Sequence, residues 1–133
     1  MDTIAEMLTT IRNAQRSGHS VVRIGFSNMK LAIAKILEKE GFVDSVEKEP
    51  QGKFEALKIG LRYYPASGNR KIPAIRGIER VSKLGRRVYV GKNDIKKVRN
   101  NYGIAIISTS KGLMTGEESK KSGLGGEYVC RVW

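Results

Sequence analysis

The sequence predicts an α+β chain of two small domains. Residues 1–64 read as two helices on a three-stranded antiparallel sheet, and residues 65–133 as mainly short β-strands with one or two short helices. Three observations carry this expectation. Two early segments place apolar residues at i, i+3, i+4 and i+7, the stripe of a helix laid on a core. β-branched and alternating runs follow those segments and recur to the end of the chain. Between them, "PASGNRK" (Pro65–Lys71) gathers turn-forming residues where the charge balance changes abruptly, which marks a boundary. At 133 residues the chain can bury roughly two thirds of its unfolded surface, so a core needs no staples.

In the first domain, Thr3 and Glu6 have capping-box spacing, and Ile4, Met7, Leu8 and Ile11 form the apolar stripe. Arg12, Asn13 and Arg16 close this helix, the arginines favourably placed at the negative end of its dipole. "SVVRIGF" (Ser20–Phe26) reads as a strand. Ser27 or Asn28 caps a second helix with Met29, Ala32, Ile33, Ile36 and Leu37 on one face, and Gly41 suits its left-handed terminus. "FVDSVE" (Phe42–Glu47) is a strand and "EPQG" (Glu49–Gly52) a turn. Leu57, Ile59, Leu61 and Tyr63 are the buried side of the returning strand.

In the second domain, "AIRGIERVS" and "RRVYVG" are short strands around a turn at Lys83, Leu84 and Gly85. Asn93 or Asp94 caps a short helix with Ile95, Val98 and Tyr102 on one side. "IAIIS" (Ile104–Ser108) is apolar on both faces, as a central strand requires. Thr115 and Glu118 repeat the capping-box spacing. Gly123, Gly125 and Gly126 break that helix, and "EYVCRVW" is the closing strand.

Composition narrows the function. One cysteine, Cys130, and one histidine, His19, leave neither an internal disulfide nor a zinc site to be expected. No apolar run reaches 18 residues, so no spanning helix is expected. The opening residues lack the basic-then-apolar pattern of a secretory signal, and the lone cysteine points to a reducing compartment. The net charge is +12, and it is concentrated. Residues 62–101 hold 12 Lys and Arg against 2 acids, a net of +10. Such a block repels itself unless a polyanion is present, and nucleic acid or an acidic membrane surface would supply one.

The stretch "IAIISTSKGLMTGEE" holds the chemistry most in need of explanation. Ser108 and Lys111 make an S-x-x-K, but that nucleophile–base pair needs a helix beginning at the serine. Here the serine ends a strand and Gly112 follows the lysine. A phosphate loop needs G-x-x-x-x-G-K-[ST]; "GRRVYVGKN" has one residue too many between its glycines and asparagine for the hydroxyl. "GLGGE" precedes a strand, not the helix of a dinucleotide fingerprint. RNA contact explains the residue types better. Hydroxyls can exchange hydrogen bonds with base edges and 2′-hydroxyls, and lysine attracts phosphate. Tyr89, among Arg86 and Arg87, offers a ring on which an unstacked base can lie. Core packing is its bland alternative, but alternation sets Tyr89 on the face opposite Val88 and Val90, beside Arg87.

Three segments carry a resemblance. "DTIAEMLTTIRNA", "ERVSKLGRRVYV" and "GIAIISTSKGLMT" with "GLGGE" closely resemble, in this order, the family of the eighth small-subunit ribosomal protein, bacterial and organellar type. The resemblance implies a non-enzymatic protein without cofactor or metal, which binds the central domain of small-subunit ribosomal RNA and helps assemble the platform. It implies neighbours such as the fifth and twelfth small-subunit proteins, with no membrane, small-molecule substrate or homo-oligomer. It implies a ribosome in bacterial cytoplasm or plastid stroma. The RNA contacts it implies centre on Ser108, Thr109, Ser110, Lys111 and Gly112, with Tyr89 and Glu127, and Arg86 and Arg87 are added from the basic strand. A lesser N-terminal contact falls on Thr3, Arg12, Asn13 and Lys30. Leu84 stands where the family often has proline. A carboxylate in a polyanion site is unexpected, so Glu127 is expected either to accept from bases and 2′-hydroxyls or to hold Lys111 and a loop amide, with plain solvation at a strand edge as the bland alternative.

Overall fold

A computed structural model describes residues 2–96, 98 and 102–133. The chain divides into two compact units, Glu6–Arg76 and Gly77–Trp133, the latter with the residues up to Ala5. Residue 65, the boundary suggested by the sequence, lies inside a hairpin of the first unit. In chain order the elements are α1 (Thr3–Arg16), β1 (Val21–Gly25), α2 (Asn28–Lys39), β2 (Val43–Gln51), β3 (Phe54–Leu61), β4 (Tyr63–Pro65) and β5 (Lys71–Pro73). There follow β6 (Ile78–Arg80), β7 (Tyr89–Val90), β8 (Ile104–Thr109), β9 (Gly112–Thr115), α3 (Gly116–Lys121) and β10 (Gly126–Val132).

The first unit has two helices and a three-stranded antiparallel sheet in the order β1-β3-β2. On α1 the expected stripe is buried at Met7, Leu8 and Ile11. On α2 Ile33 and Leu37 are buried as expected, Met29, Ala32 and Ile36 are half-buried, and Ala34, outside the expected stripe, is buried as well. Leu57, Ile59 and Leu61 occupy one face of β3 and are buried with Val43 and Val46. The Ser27 hydroxyl caps α2 by accepting from the Lys30 amide at 3.1 Å. Two local readings change. The cap of α1 is Asp2, whose carboxylate accepts from the amides of Ile4 and Ala5 at 3.1 Å, so Thr3 is the first helical residue. Strand β2 runs on through Glu49 and Pro50, and the turn lies at Gly52, with φ +63°. Pro50 is admissible because β2 is an edge strand, whose unpaired side needs no donor.

The second unit is a five-stranded sheet ordered β6-β10-β8-β9, with β7 also on β10. As its apolar run requires, β8 is central, with Ala105, Ile106 and Ile107 buried in succession. Ile95, Val98, Ala105 and Ile107 form a cluster against which Val90, Tyr128 and Trp133 pack. The helix expected from Asn93 or Asp94 to Tyr102 is not formed at its described residues, 93–96, 98 and 102, which are turn, bend or irregular backbone, and the rest of it lies outside the described residues. Ile95 and Val98 are buried as expected, but Tyr102 is exposed. Helix α3 has the anticipated capping box, Thr115 accepting from the Glu118 amide and Glu118 accepting in return. The Ser119 hydroxyl donates to the Leu124 carbonyl and ties off its end.

Candidate nucleic-acid interface

Strand β9, absent from the sequence reading, changes what "STSKG" is. Thr109 pairs with Gly112 across β8 and β9, leaving Ser110 and Lys111 as a two-residue turn. Gly112 takes φ +106°, open to glycine at little cost. The Thr109 hydroxyl donates to the Gly112 carbonyl at 2.8 Å and accepts from the Lys111 amide at 3.1 Å. It therefore shapes the turn from within. Ser110 and Lys111 project into solvent, and neither side chain has a protein partner among the described residues. The S-x-x-K spacing spans a hairpin turn instead of a helical one, so the geometry that lets lysine deprotonate serine is missing.

Beside this tip the register draws a row across the sheet. Tyr89 of β7 is opposite Glu127 of β10, Glu127 opposite Ser108 of β8, and Ser108 opposite Leu113 of β9. Directly opposed residues point to the same face, so residues 89, 127, 108 and 113 share one. Tyr89 is 70% exposed, as alternation expects. The row depends on two glycines. A Cβ on Gly126 would run into the Ser108 carbonyl oxygen and lie 2.9 Å from its carbon. One on Gly125 would strike the Val90 carbonyl and lie 2.9 Å from the Gly91 Cα. These glycines do more than end α3: they let β10 pass close between β7 and β8.

Glu127 is held, but by other partners than Lys111 and its loop. Its Oε2 accepts from the Ser82 hydroxyl at 2.5 Å and from Arg87 Nη1 at 3.1 Å. Ser82 is fully buried, and its oxygen also accepts from the Val88 amide at 3.1 Å. The local chain explains why. Residues 78–82 follow one edge of β10, leave it in a two-residue turn at Leu84 and Gly85 closed by reciprocal Lys83–Arg86 bonds of 3.0 Å, and rejoin it at Val88. Ser82 ties the neck of this excursion, which exposes Lys83, Leu84 and Arg86. No local pattern flags Ser82, because its partners lie 6 and 45 residues away.

Asp2 and Arg80 are charges of this unit with a structural place. Arg80 donates from Nε to Asp2 at 3.1 Å and from Nη1 to the Val129 carbonyl at 2.6 Å. Burial alone would raise the Asp2 carboxyl, but the Ala5 amide and the Arg80 guanidinium together hold it below its ordinary 3.8. Burial pushes the Cys130 thiol up to about 12. Of the remaining sequence-derived candidates, Thr3 is exposed on the first turn of α1. Arg12 and Asn13 lie on α1 and Lys30 on α2, all in the first unit. Lys30 Nζ donates to the Gly25 carbonyl at 3.4 Å.

The family model described as ribosomal protein S8 matches residues 2–133. The chain belongs to the ribosomal protein S8 family. Curated members are similar to it along their length. The small ribosomal subunit protein uS8 of Caldicellulosiruptor bescii is 50% identical, with 100% of this chain and 98% of the relative covered. That of Caldanaerobacter subterraneus is 52% identical, over 99% and 97%. That of Prochlorococcus marinus, strain AS9601, is 45% identical, again over 99% and 97%.

Proposed function

We propose that this chain is a structural, non-catalytic protein of the small ribosomal subunit, which binds the central domain of the subunit's RNA and helps assemble the platform. Membership of the S8 family supports the ribosomal role. The binding mode rests on one observation: the free Ser110 and Lys111 side chains stand on a pinned hairpin beside the Tyr89–Glu127–Ser108 row. Ser108 and Ser110 supply hydrogen bonds to bases and 2′-hydroxyls, and Tyr89 a stacking surface. Lys111, Arg86 and Lys83 supply attraction to phosphate. Glu127 orients Arg87 instead of meeting phosphate itself. Thr3, Arg12, Asn13 and Lys30 would add the lesser contact, and the fifth and twelfth small-subunit proteins would be neighbours, in a bacterial or plastid ribosome.

The test is titration of the purified chain with a structured fragment of small-subunit RNA and with duplex DNA of equal charge, over a range of salt. RNA is expected to bind far more tightly, with affinity falling as salt rises. Ser110→Ala is expected to weaken RNA binding by about 1 kcal/mol. Equal affinity for the two nucleic acids, or indifference to alanine at both Ser108 and Ser110, rejects the recognition role of the hairpin.

A further inference from the structure

We infer that the β4–β5 hairpin of the first unit is a further RNA-binding surface, on which an unpaired nucleotide stacks against Tyr64 and Ile72; this rests on the ribosomal reading above. Tyr64 and Ile72 are directly opposed across the hairpin, and both are exposed, at 51% and 41%. The pair therefore forms an apolar step on one face, too large to be a single stray side chain. The opposite face is anchored: the Tyr63 hydroxyl donates to the His19 carbonyl at 2.6 Å. A base could lie on the outer face without moving the backbone.

Charge identifies the occupant. Residues 62–76 contain Arg62, Arg70, Lys71 and Arg76 and no acid. Alternation sets Arg62 and Arg70 on the face of Tyr64 and Ile72, one towards each end. Arg62 is engaged, with Nε 2.6 Å from Asp44 Oδ1 and Nη1 donating to the Gly41 carbonyl at 2.9 Å. Arg70 and Lys71 are exposed and have no ion pair among the described residues. An apolar aromatic platform with cations at its tip suits a base with its flanking phosphates.

The edges argue against a protein strand adding to the hairpin. Backbone bonds from the Ala66 amide to the Arg70 carbonyl and from the Ala74 amide to the Arg62 carbonyl fix the alternation of its ladder. Pro65 and Pro73 then occupy positions whose amides would point outward, so each edge lacks a donor that an incoming strand would use.

The test places a benzophenone amino acid at Tyr64 in the full chain, assembles it into small subunits and irradiates them. Entry of the unmodified chain into subunits tests the ribosomal reading by itself. A crosslink from position 64 to RNA is expected; a crosslink to protein alone, or none, overturns the hairpin surface. In parallel, Tyr64→Ala combined with Arg70→Ala is expected to weaken binding to full-length small-subunit RNA about tenfold. Tyr64→Phe is expected to retain it, since stacking needs the ring and not the hydroxyl. Both positions are exposed, so circular dichroism should not change. Unchanged affinity in the double variant overturns the inference, even where Ser110→Ala still weakens binding.

Discussion

Replacing Ser82 with alanine deletes one buried oxygen and two hydrogen bonds, one to the Glu127 carboxylate and one from the Val88 amide. A bond to a charged group contributes about 1.5–3 kcal/mol and a neutral one about 1 kcal/mol. Glu127 keeps Arg87 and is partly open to water, so its share falls at the low end. The part-buried Val88 amide loses the neutral bond. The expected loss is about 2.5 kcal/mol, a large part of the 5–15 kcal/mol that typically separates folded from unfolded chains. Urea unfolding followed by far-ultraviolet circular dichroism measures it. A cycle of Ser82→Ala, Glu127→Ala and the double variant should return a coupling of about 1.5 kcal/mol. A loss below about 0.5 kcal/mol, or strict additivity in the cycle, would refute Ser82 as the tie at the neck of the excursion.

Gly126→Ala is expected to cost about 1–3 kcal/mol by overpacking and to weaken RNA binding, because the new methyl must push the Ser108 backbone away; an unfolding midpoint and an RNA affinity equal to wild type would contradict the close approach. Asp2→Ala removes a cap and an ion partner and should cost about 1 kcal/mol at pH 7. Because the folded Asp2 carboxyl titrates below 3.8, its stabilisation is complete above about pH 4 and is lost as pH falls through the folded value. The gap between wild type and variant should therefore narrow as pH falls below 3.8, and a gap that did not change with pH in acid would reject the ionised cap. Cys130, buried and raised to about 12, should resist thiol reagents at pH 8 until urea unfolds the chain; rapid labelling of the native protein would be the contrary result.

What the sequence disclosed was local. The stripe Ile4, Met7, Leu8, Ile11 is buried as spaced, and the apolar run of β8 lies mid-sheet. The misses arise where spacing alone does not rank competing partners, some of them near in sequence and some distant. Thr3 and Glu6 fit a capping box, yet Asp2 takes the cap, and its carboxylate also meets Arg80, 78 residues on. Strand β9 is short and holds Gly112, so only its pairing with β8 makes it a strand. Pro50 signals a turn until β2 is known to be an edge. Of the candidate site, the residues Tyr89, Glu127 and Ser108 were readable, but their row was not, since it exists only in the register. Gly125 and Gly126 read as helix breakers because the backbones they admit lie at residues 90–91 and 108–109.

The Thr109 hydroxyl, spent inside its own turn, also bears on how fast an RNA could be captured. Ordering a residue costs about 1–2 kcal/mol of backbone entropy, and for Ser110 and Lys111 that cost falls on folding, not on association. A tip already in its final shape meets its ligand as a rigid body. Encounter should then be governed by ionic strength, and residence time by the contacts of two free side chains. Freeing the turn with Thr109→Val should slow association, although the Ser110 and Lys111 side chains are unaltered.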